Sequence, residues 1–495
     1  MKARGKRGAG ILLPVSSLPS PYGIGTLGAE ARAFADALAR AGQTYWQVLP
    51  VGPTSYGDSP YQSFSAFAGN PYFLDLDALA AEGLLTEAEL AACRPVREDA
   101  VDYGWLFDTR LDVLRRAMSR TGEAAAFAAF CEENRDWLED YALFMALKAR
   151  SAQEDWLGWD APVRDREPGA LAACRTELAG EIRFHKLCQF FFFRQWAELK
   201  AYANAAGVLL IGDMPIYAAL DSADVWANRR LFELDGKGRP TAVAGVPPDA
   251  FSADGQRWGN PLYDWAAMER EGFAWWRRRV AAAARLFDVI RIDHFIGLVR
   301  YYAIPSSCET AVEGEWRTGP GEKLTAVLDE AAGGSRILAE DLGVLHPSVR
   351  TLLDKTGYPG MKVLLFAFDG GAGNPHLPHW YERNAAVYGG THDNDTIRGY
   401  LDKKSDGELA FLLDYLGVKS RAEAPEAMIR AAYESVADIA IFQMQDILEL
   451  DNAARMNTPS TVGGNWAWRL LPGQFTEEKI ARLRRFAELY GRIGV

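Results

Sequence analysis

Four times in this chain a short apolar run ends in an acidic residue: Leu209-Leu-Ile-Gly-Asp213, Phe287-Asp-Val-Ile-Arg-Ile-Asp293, Ile337-Leu-Ala-Glu340-Asp341 and Val387-Tyr-Gly-Gly-Thr-His392-Asp393. Runs this short and apolar fit parallel strands covered by helices on both faces. A carboxylate at the C-terminal tip of such a strand stands where α/β barrels hold their chemistry. One such acid alone reads as a helix cap; four in one chain are hard to dismiss as caps.

Further strands are expected at 11–15, 45–49, 361–366 and near 444–448, with helical patterns at 29–41, 181–204, 273–284, 322–332 and 346–356. Strands separated by helices imply βαβ units and a parallel sheet. The count approaches eight, so the expected fold is an α/β (β/α)8 TIM barrel with large, mainly helical insertions; a doubly wound sheet is the alternative. The chain reads as one catalytic domain over 1–495. A polar helical insertion interrupts it at about 76–160, and a long irregular one, of loops and helices, at about 217–265. Phe190-Phe-Phe-Phe193, inside the longest helical pattern, reads as inter-helix packing. No GxGxxG follows a strand and no GxxxxGK[ST] occurs, which argues against nucleotide binding.

The formal net charge of −12 argues against nucleic acid or an anionic membrane surface as a partner. Five scattered cysteines without a CxxC fit a reducing cytosol. The basic start is followed only by Ile11–Val15, interrupted by Pro14, so no secretory leader is expected. No stretch approaches the roughly 20 apolar residues of a membrane span. A cytoplasmic protein is expected.

Cleaving a glycosidic bond takes one carboxylic acid to protonate the leaving oxygen and a second carboxylate to attack the anomeric carbon or activate water. Asp293, Glu340 and Asp393 end three separate strands that a barrel would aim into one pocket. Arg291, two residues before Asp293, projects to the same face, where its charge would keep Asp293 ionised. His294 and His392 adjoin the acids and could donate to sugar hydroxyls. Apart from Asp393-Asn-Asp395 the strand ends carry no tight metal-ligand spacing. Aromatic and amide residues concentrate in polar, glycine-bearing segments. Tyr56, Asp58, Tyr61 and Gln62 lie early; Phe251, Gln256, Trp258, Asn260 and Tyr263 come later, and Asn457 to Asn465-Trp466 last. Such segments suit sugar rings, whose C–H faces stack on aromatics while their hydroxyls take hydrogen bonds.

At these residues the chain resembles the amylomaltases, bacterial 4-α-glucanotransferases of the α-amylase superfamily. The four strand-end motifs resemble that superfamily's signature regions. Leu12 to Gly25, Ser55 to Pro71, Gly245 to Ser252, Trp258 to Pro261 and Arg455-Met-Asn-Thr-Pro459 extend the resemblance over nearly the whole chain. The resemblance implies that Asp293 is the nucleophile forming a covalent glycosyl-enzyme, Glu340 the acid and then the base, and Asp393 the transition-state stabiliser. Asp213, Arg291, His294 and His392 would surround the ring, with Asp341, Asp369 and Asn465 as further substrate-binding candidates. It implies a retaining transfer of an α-1,4-glucan segment to the 4-hydroxyl of another glucan or of glucose, with no cofactor and no metal. A plain α-glucan hydrolase would use the same carboxylates; a silent glucan binder would need no proton donor and nucleophile. Some members carry an aromatic pair where this chain has Ala250-Phe251, which bears on donor length. The helical insertion is expected to be scaffold shaping one side of the cleft.

Overall fold

Eight parallel strands form one curved sheet in the computed structural model, which describes residues 7–493 apart from 56, 96, 249–251 and 344–345. In chain order the strands of the molecule are β1 (Gly8–Leu12), β2 (Tyr45–Gln47), β3 (Leu209–Met214), β4 (Ala242–Val246), β5 (Gln256–Pro261), β6 (Val289–Ile292), β7 (Arg300–Pro305), β8 (Glu315–Thr318), β9 (Arg336–Ala339), β10 (Gly360–Val363), β11 (Ala385–Tyr388) and β12 (Ile439–Gln443). The parallel sheet runs β10-β11-β12-β1-β2-β3-β6-β9. Its two ends are neighbours: the Ala339 N–H donates to the Pro359 carbonyl at 3.0 Å, and the Asp341 carboxylate takes the Met361 N–H at 2.6 Å. The result is the expected (β/α)8 barrel.

β1, β2, β6, β11 and β12 are buried at every residue, as strands covered on both faces must be. The last strand is Ile439–Gln443 and not 444–448: the residues directly after it turn into a helix, Met444–Ile447. Segment 217–265 is not irregular throughout. Its β4 and β5 join β7 and β8 in a second, antiparallel sheet of order β5-β4-β7-β8. This sheet grows from the segments that follow β3 and β6, so it stands on the C-terminal face of the barrel.

Residues 76–177 carry helices that include Tyr103–Ser119, Ala125–Glu133 and Arg135–Arg150. They pack on the long helix Ala179–Ala205 through its phenylalanine run: Phe190 meets Phe127 and Phe130 edge-on at 5.8 Å, and Phe193 lies 5.9 Å from Trp137. Lys148, buried in this region, donates to Asp221 Oδ2 at 2.6 Å on the segment after β3. Among the described residues no helix is long and apolar enough to cross a membrane.

Candidate active site

Alternation along β6 turns Arg291 and Asp293 to the same side, into the barrel mouth. The Arg291 guanidinium is the hub there. Its Nη1 lies 2.6 Å from each oxygen of Asp213, at the end of β3, and 3.0 Å from Asp293 Oδ1. Its Nη2 stands 3.9 Å from Glu340 Oε2, just past β9. Burial opposes this positive charge, but Asp213, Asp293, Tyr61 and Glu340 outweigh it and hold Arg291 firmly protonated. Gly212 makes the approach of β3 possible: a Cβ there would stand 2.1 Å from the Phe287 ring, which fills that space.

Glu340 is fixed by backbone. His294 has φ +47°, in the left-handed region that non-glycine residues seldom occupy. That turn presents the His294 N–H to Glu340 Oε2 at 2.5 Å, while the Leu342 N–H reaches Oε1 at 3.1 Å. The Phe295 N–H also donates to the Glu340 carbonyl at 3.0 Å. Burial and the nearby Asp293 charge push the Glu340 carboxyl up to about 7, against the opposing pull of Arg291 and the two N–H groups. A carboxyl that keeps its proton near neutrality is suited to general-acid work. His294 itself stays neutral, since burial lowers its imidazole to about 4. Its ring stands edge-on to Trp258 of β5, with centroids 4.9 Å apart.

A chain of hydrogen bonds joins the remaining acids. The Tyr61 hydroxyl donates to Asp213 Oδ2 at 2.8 Å and lies 3.0 Å from His392 Nδ1, with the two rings stacked at 4.7 Å. His392 Nε2 faces Asp393 Oδ2 at 3.3 Å. Burial works against the charge on His392, yet Asp393 raises its imidazole above the ordinary value. Enclosure also pushes the Asp393 carboxyl up, but the charge and hydrogen bond of His392, with Asn457 and Arg291, hold it down at about 2. In its protonated form His392 donates Nδ1–H to the tyrosine oxygen and turns Nε2–H to Asp393. The Asp393 side chain remains 46% exposed to the cleft.

The structure thus brings together Asp213, Arg291, Asp293, Glu340, His392, Asp393, Tyr61, His294 and Trp258. Asn260 sits one shell out, accepting from Gln62 Nε2 at 3.0 Å and donating to the Ala218 carbonyl. Asp58 lies in a neighbouring cavity with Tyr103 and Trp466. Asp341 turns to β10, where it takes the Met361 N–H. Asp369 pairs with Lys404 at 3.0 Å, and Asn465 closes its own loop through the Thr458 N–H. These last four make none of the contacts that join the carboxylates. Tyr56, Phe251 and Ala250 lie outside the described residues. Asp395, the second acid of the Asp393-Asn-Asp395 pair, is taken by Arg455 and Lys403. Reading the sequence assigned no role to Arg455, which follows the last strand and reaches the Asp393 carbonyl; a basic residue two positions before Asn457 was the available signal.

A family profile described as 4-alpha-glucanotransferase matches residues 13–474. The 4-alpha-glucanotransferase of Thermus thermophilus is 51% identical, over 98% of this chain and 99% of its own length. That of Streptococcus pneumoniae is 46% identical, over 99% and 98%. Among solved structures, the amylomaltase from Streptococcus agalactiae in complex with acarbose superposes with a TM-score of 0.96 at 40% identity, covering 99% of this chain and all of that one. The barrel, its carboxylates and these matches over nearly the full length agree: the chain belongs to the 4-alpha-glucanotransferase family.

Proposed function

We propose that this 4-alpha-glucanotransferase moves an α-1,4-glucan segment from a donor to the 4-hydroxyl of an acceptor glucan or glucose by double displacement. Asp293 attacks the anomeric carbon while Glu340 gives its proton to the departing glycosidic oxygen. The bond to the leaving sugar breaks and a glycosyl ester on Asp293 forms. Glu340, now ionised, takes the proton of the acceptor 4-hydroxyl as that oxygen displaces Asp293, which restores both carboxyls. Asp393, held anionic, faces the ring as positive charge develops on it. Asp213, Arg291, Tyr61, His294, His392 and Trp258 shape the position of that ring. Cytoplasmic placement accords with the scattered, unpaired cysteines.

The observation that carries this reading is one buried guanidinium within reach of three carboxyls, 2.6 Å from Asp213, 3.0 Å from Asp293 and 3.9 Å from Glu340, the last of them pushed up to about 7. One enclosed site thereby sets a carboxyl that keeps its proton near neutrality beside a second carboxyl, Asp293, paired with a guanidinium. The test is the product profile from pure maltotriose. Glucose together with maltopentaose and longer chains is expected, because hydrolysis cannot lengthen a glucan. Equal glucose and maltose with nothing longer would make the protein a hydrolase. Asp293→Asn is expected to abolish turnover while leaving maltotriose binding, measured by calorimetry, in place.

A further inference from the structure

Beyond the last barrel strand, Arg455 and Asn457 reach back to the loop that carries Asp393. Asn457 Nδ2 donates to Asp393 Oδ1 at 2.6 Å, on the oxygen opposite His392. Arg455 spreads its fork over three acceptors: Nη2 to the Asp393 carbonyl at 2.5 Å, Nη1 to Asp395 Oδ1 at 2.5 Å, and Nε to the Asn457 carbonyl at 2.7 Å. Lys403 reaches the same carboxylate, at 2.8 Å from Asp395 Oδ1 and 2.9 Å from Oδ2. The strand-end loop and the 455–457 segment are therefore bolted together through both backbone and side chain.

A carboxylate on a loop tip is free about two torsions, and only one setting presents it to a ring bound above Asp293. With an oxygen tied on each side, by His392 and by Asn457, the Asp393 carboxylate is aimed before substrate arrives, and preorganised charge costs no rearrangement during reaction. The chemistry of the partner matters too. Asn457 is neutral, so it orients the carboxylate without cancelling the negative charge that must face the developing cation. Beyond it, the Trp466 N–H donates to the Met456 carbonyl at 2.6 Å, and the Trp466 ring lies 5.8 Å from Tyr61 and 5.9 Å from His392. The segment that holds Asp393 is thus continuous with a wall of the cleft.

We propose that Asn457, itself held by Arg455, is a positioning residue for glucan transfer that sets the orientation of the Asp393 carboxylate. The proposal rests on the reading of Asp393 as the acid facing the sugar ring, and the test separates the two. On maltotriose, Asn457→Ala is expected to lower kcat about 10- to 100-fold, the range for losing one hydrogen bond to a charged group. KM should change little, because the interaction matters in the transition state. Asn457→Asp keeps the volume but sets a like charge against Asp393, and should lower kcat at least as far. In the Asp393→Ala background, Asn457→Ala should cost nothing more, since it acts only through that carboxylate. An Asn457→Ala or Asn457→Asp protein with unchanged kcat, or an equal cost in both backgrounds, overturns the proposal. Full activity in Asp393→Ala alone would instead remove the reading of Asp393 beneath it.

Discussion

Arg291 and Asp213 form a buried ion pair in which one guanidinium nitrogen lies 2.6 Å from both carboxylate oxygens, with the two side chains 3% and 0% exposed. Neither charge has water to fall back on: Arg291 is stabilised by Asp213 and the neighbouring acids, whereas burial and Asp293 push the Asp213 carboxyl up and Arg291 is what opposes them. Replacing Arg291 by Met leaves Asp213 a buried carboxylate with only Tyr61 still bound to it. Such a loss costs about 3–5 kcal/mol in typical cases. Thermal unfolding of Arg291→Met should show a clear drop in Tm together with loss of glucan transfer. An unchanged Tm would mean that Asp213 is neutral in the folded protein.

The Glu340 carboxyl at about 7 gives the activity a basic limb. Breaking the donor bond needs the protonated form, so kcat/KM should fall as pH rises through about 7, and Glu340→Gln should be inactive at every pH. Stability follows the same sign. A folded-state value above the ordinary 4.5 means that the folded chain holds this proton more tightly than the unfolded one. That contribution is complete below about pH 4.5 and has been lost by about pH 7. A pH–rate profile flat from 6 to 9 would count against Glu340 as the acid.

Asp446 offers a test away from the carboxylate cluster. It is 2% exposed; its Oδ1 takes the Ile397 N–H at 2.7 Å, and burial pushes its carboxyl up to about 7. Above that pH the fold must carry a buried charge. Asp446→Asn keeps the acceptor for Ile397 and cannot ionise. The variant should therefore be more stable than the parent at pH 8, on the order of a few kcal/mol, with the gap closing toward pH 4. Tm measured across this range checks it, and a constant gap would show that Asp446 does not titrate there.

At Gly212 the prediction is steric. A methyl group would stand 2.1 Å from the Phe287 ring, so Gly212→Ala has to move either that ring or β3. Overpacking of this kind costs about 1–3 kcal/mol. Because Asp213 is the next residue, activity should fall further than stability alone explains. Pairing the substitution with Phe287→Leu, which vacates the space, should recover much of both. Failure of that pair to recover either would place the damage elsewhere.

Much of the barrel was legible because its signals are local. The apolar run Ile337-Leu-Ala before Glu340 was read as a strand and forms β9, since an apolar strand between a helix and an acid needs nothing distant to define it. The strand near 444–448 was misplaced because Met444, Ile447 and Leu448 continue the apolar positions of Ile439-Ala-Ile-Phe, and only the barrel decides which of the two stretches is the strand. β7 and β8 went unread: Tyr301, Tyr302 and Ala303 face Arg317, Trp316 and Glu315, and that register exists only once the antiparallel sheet has assembled. The acids of the site were readable from four repeated strand ends, and Arg291 from its spacing to Asp293. The hold of Arg455 on Asp395 crosses 60 positions of sequence and leaves no periodic trace. The left-handed backbone of His294, which delivers its amide to Glu340, is likewise invisible in a residue that rarely takes that conformation.

The barrel wall is stitched unevenly. Every other neighbouring pair of barrel strands runs a ladder, whereas among the described residues no ladder joins β9 to β10. A bond at Pro359 and a side-chain carboxylate at Met361 stand in for the missing rungs. Amide deuterium exchange should then begin in the wall at Ala339 and Met361, before the β1 and β12 amides give way. Glu340 follows directly on that seam, so the carboxyl proposed to give up a proton and take one back sits beside the one strand pair of the described barrel that lacks a ladder.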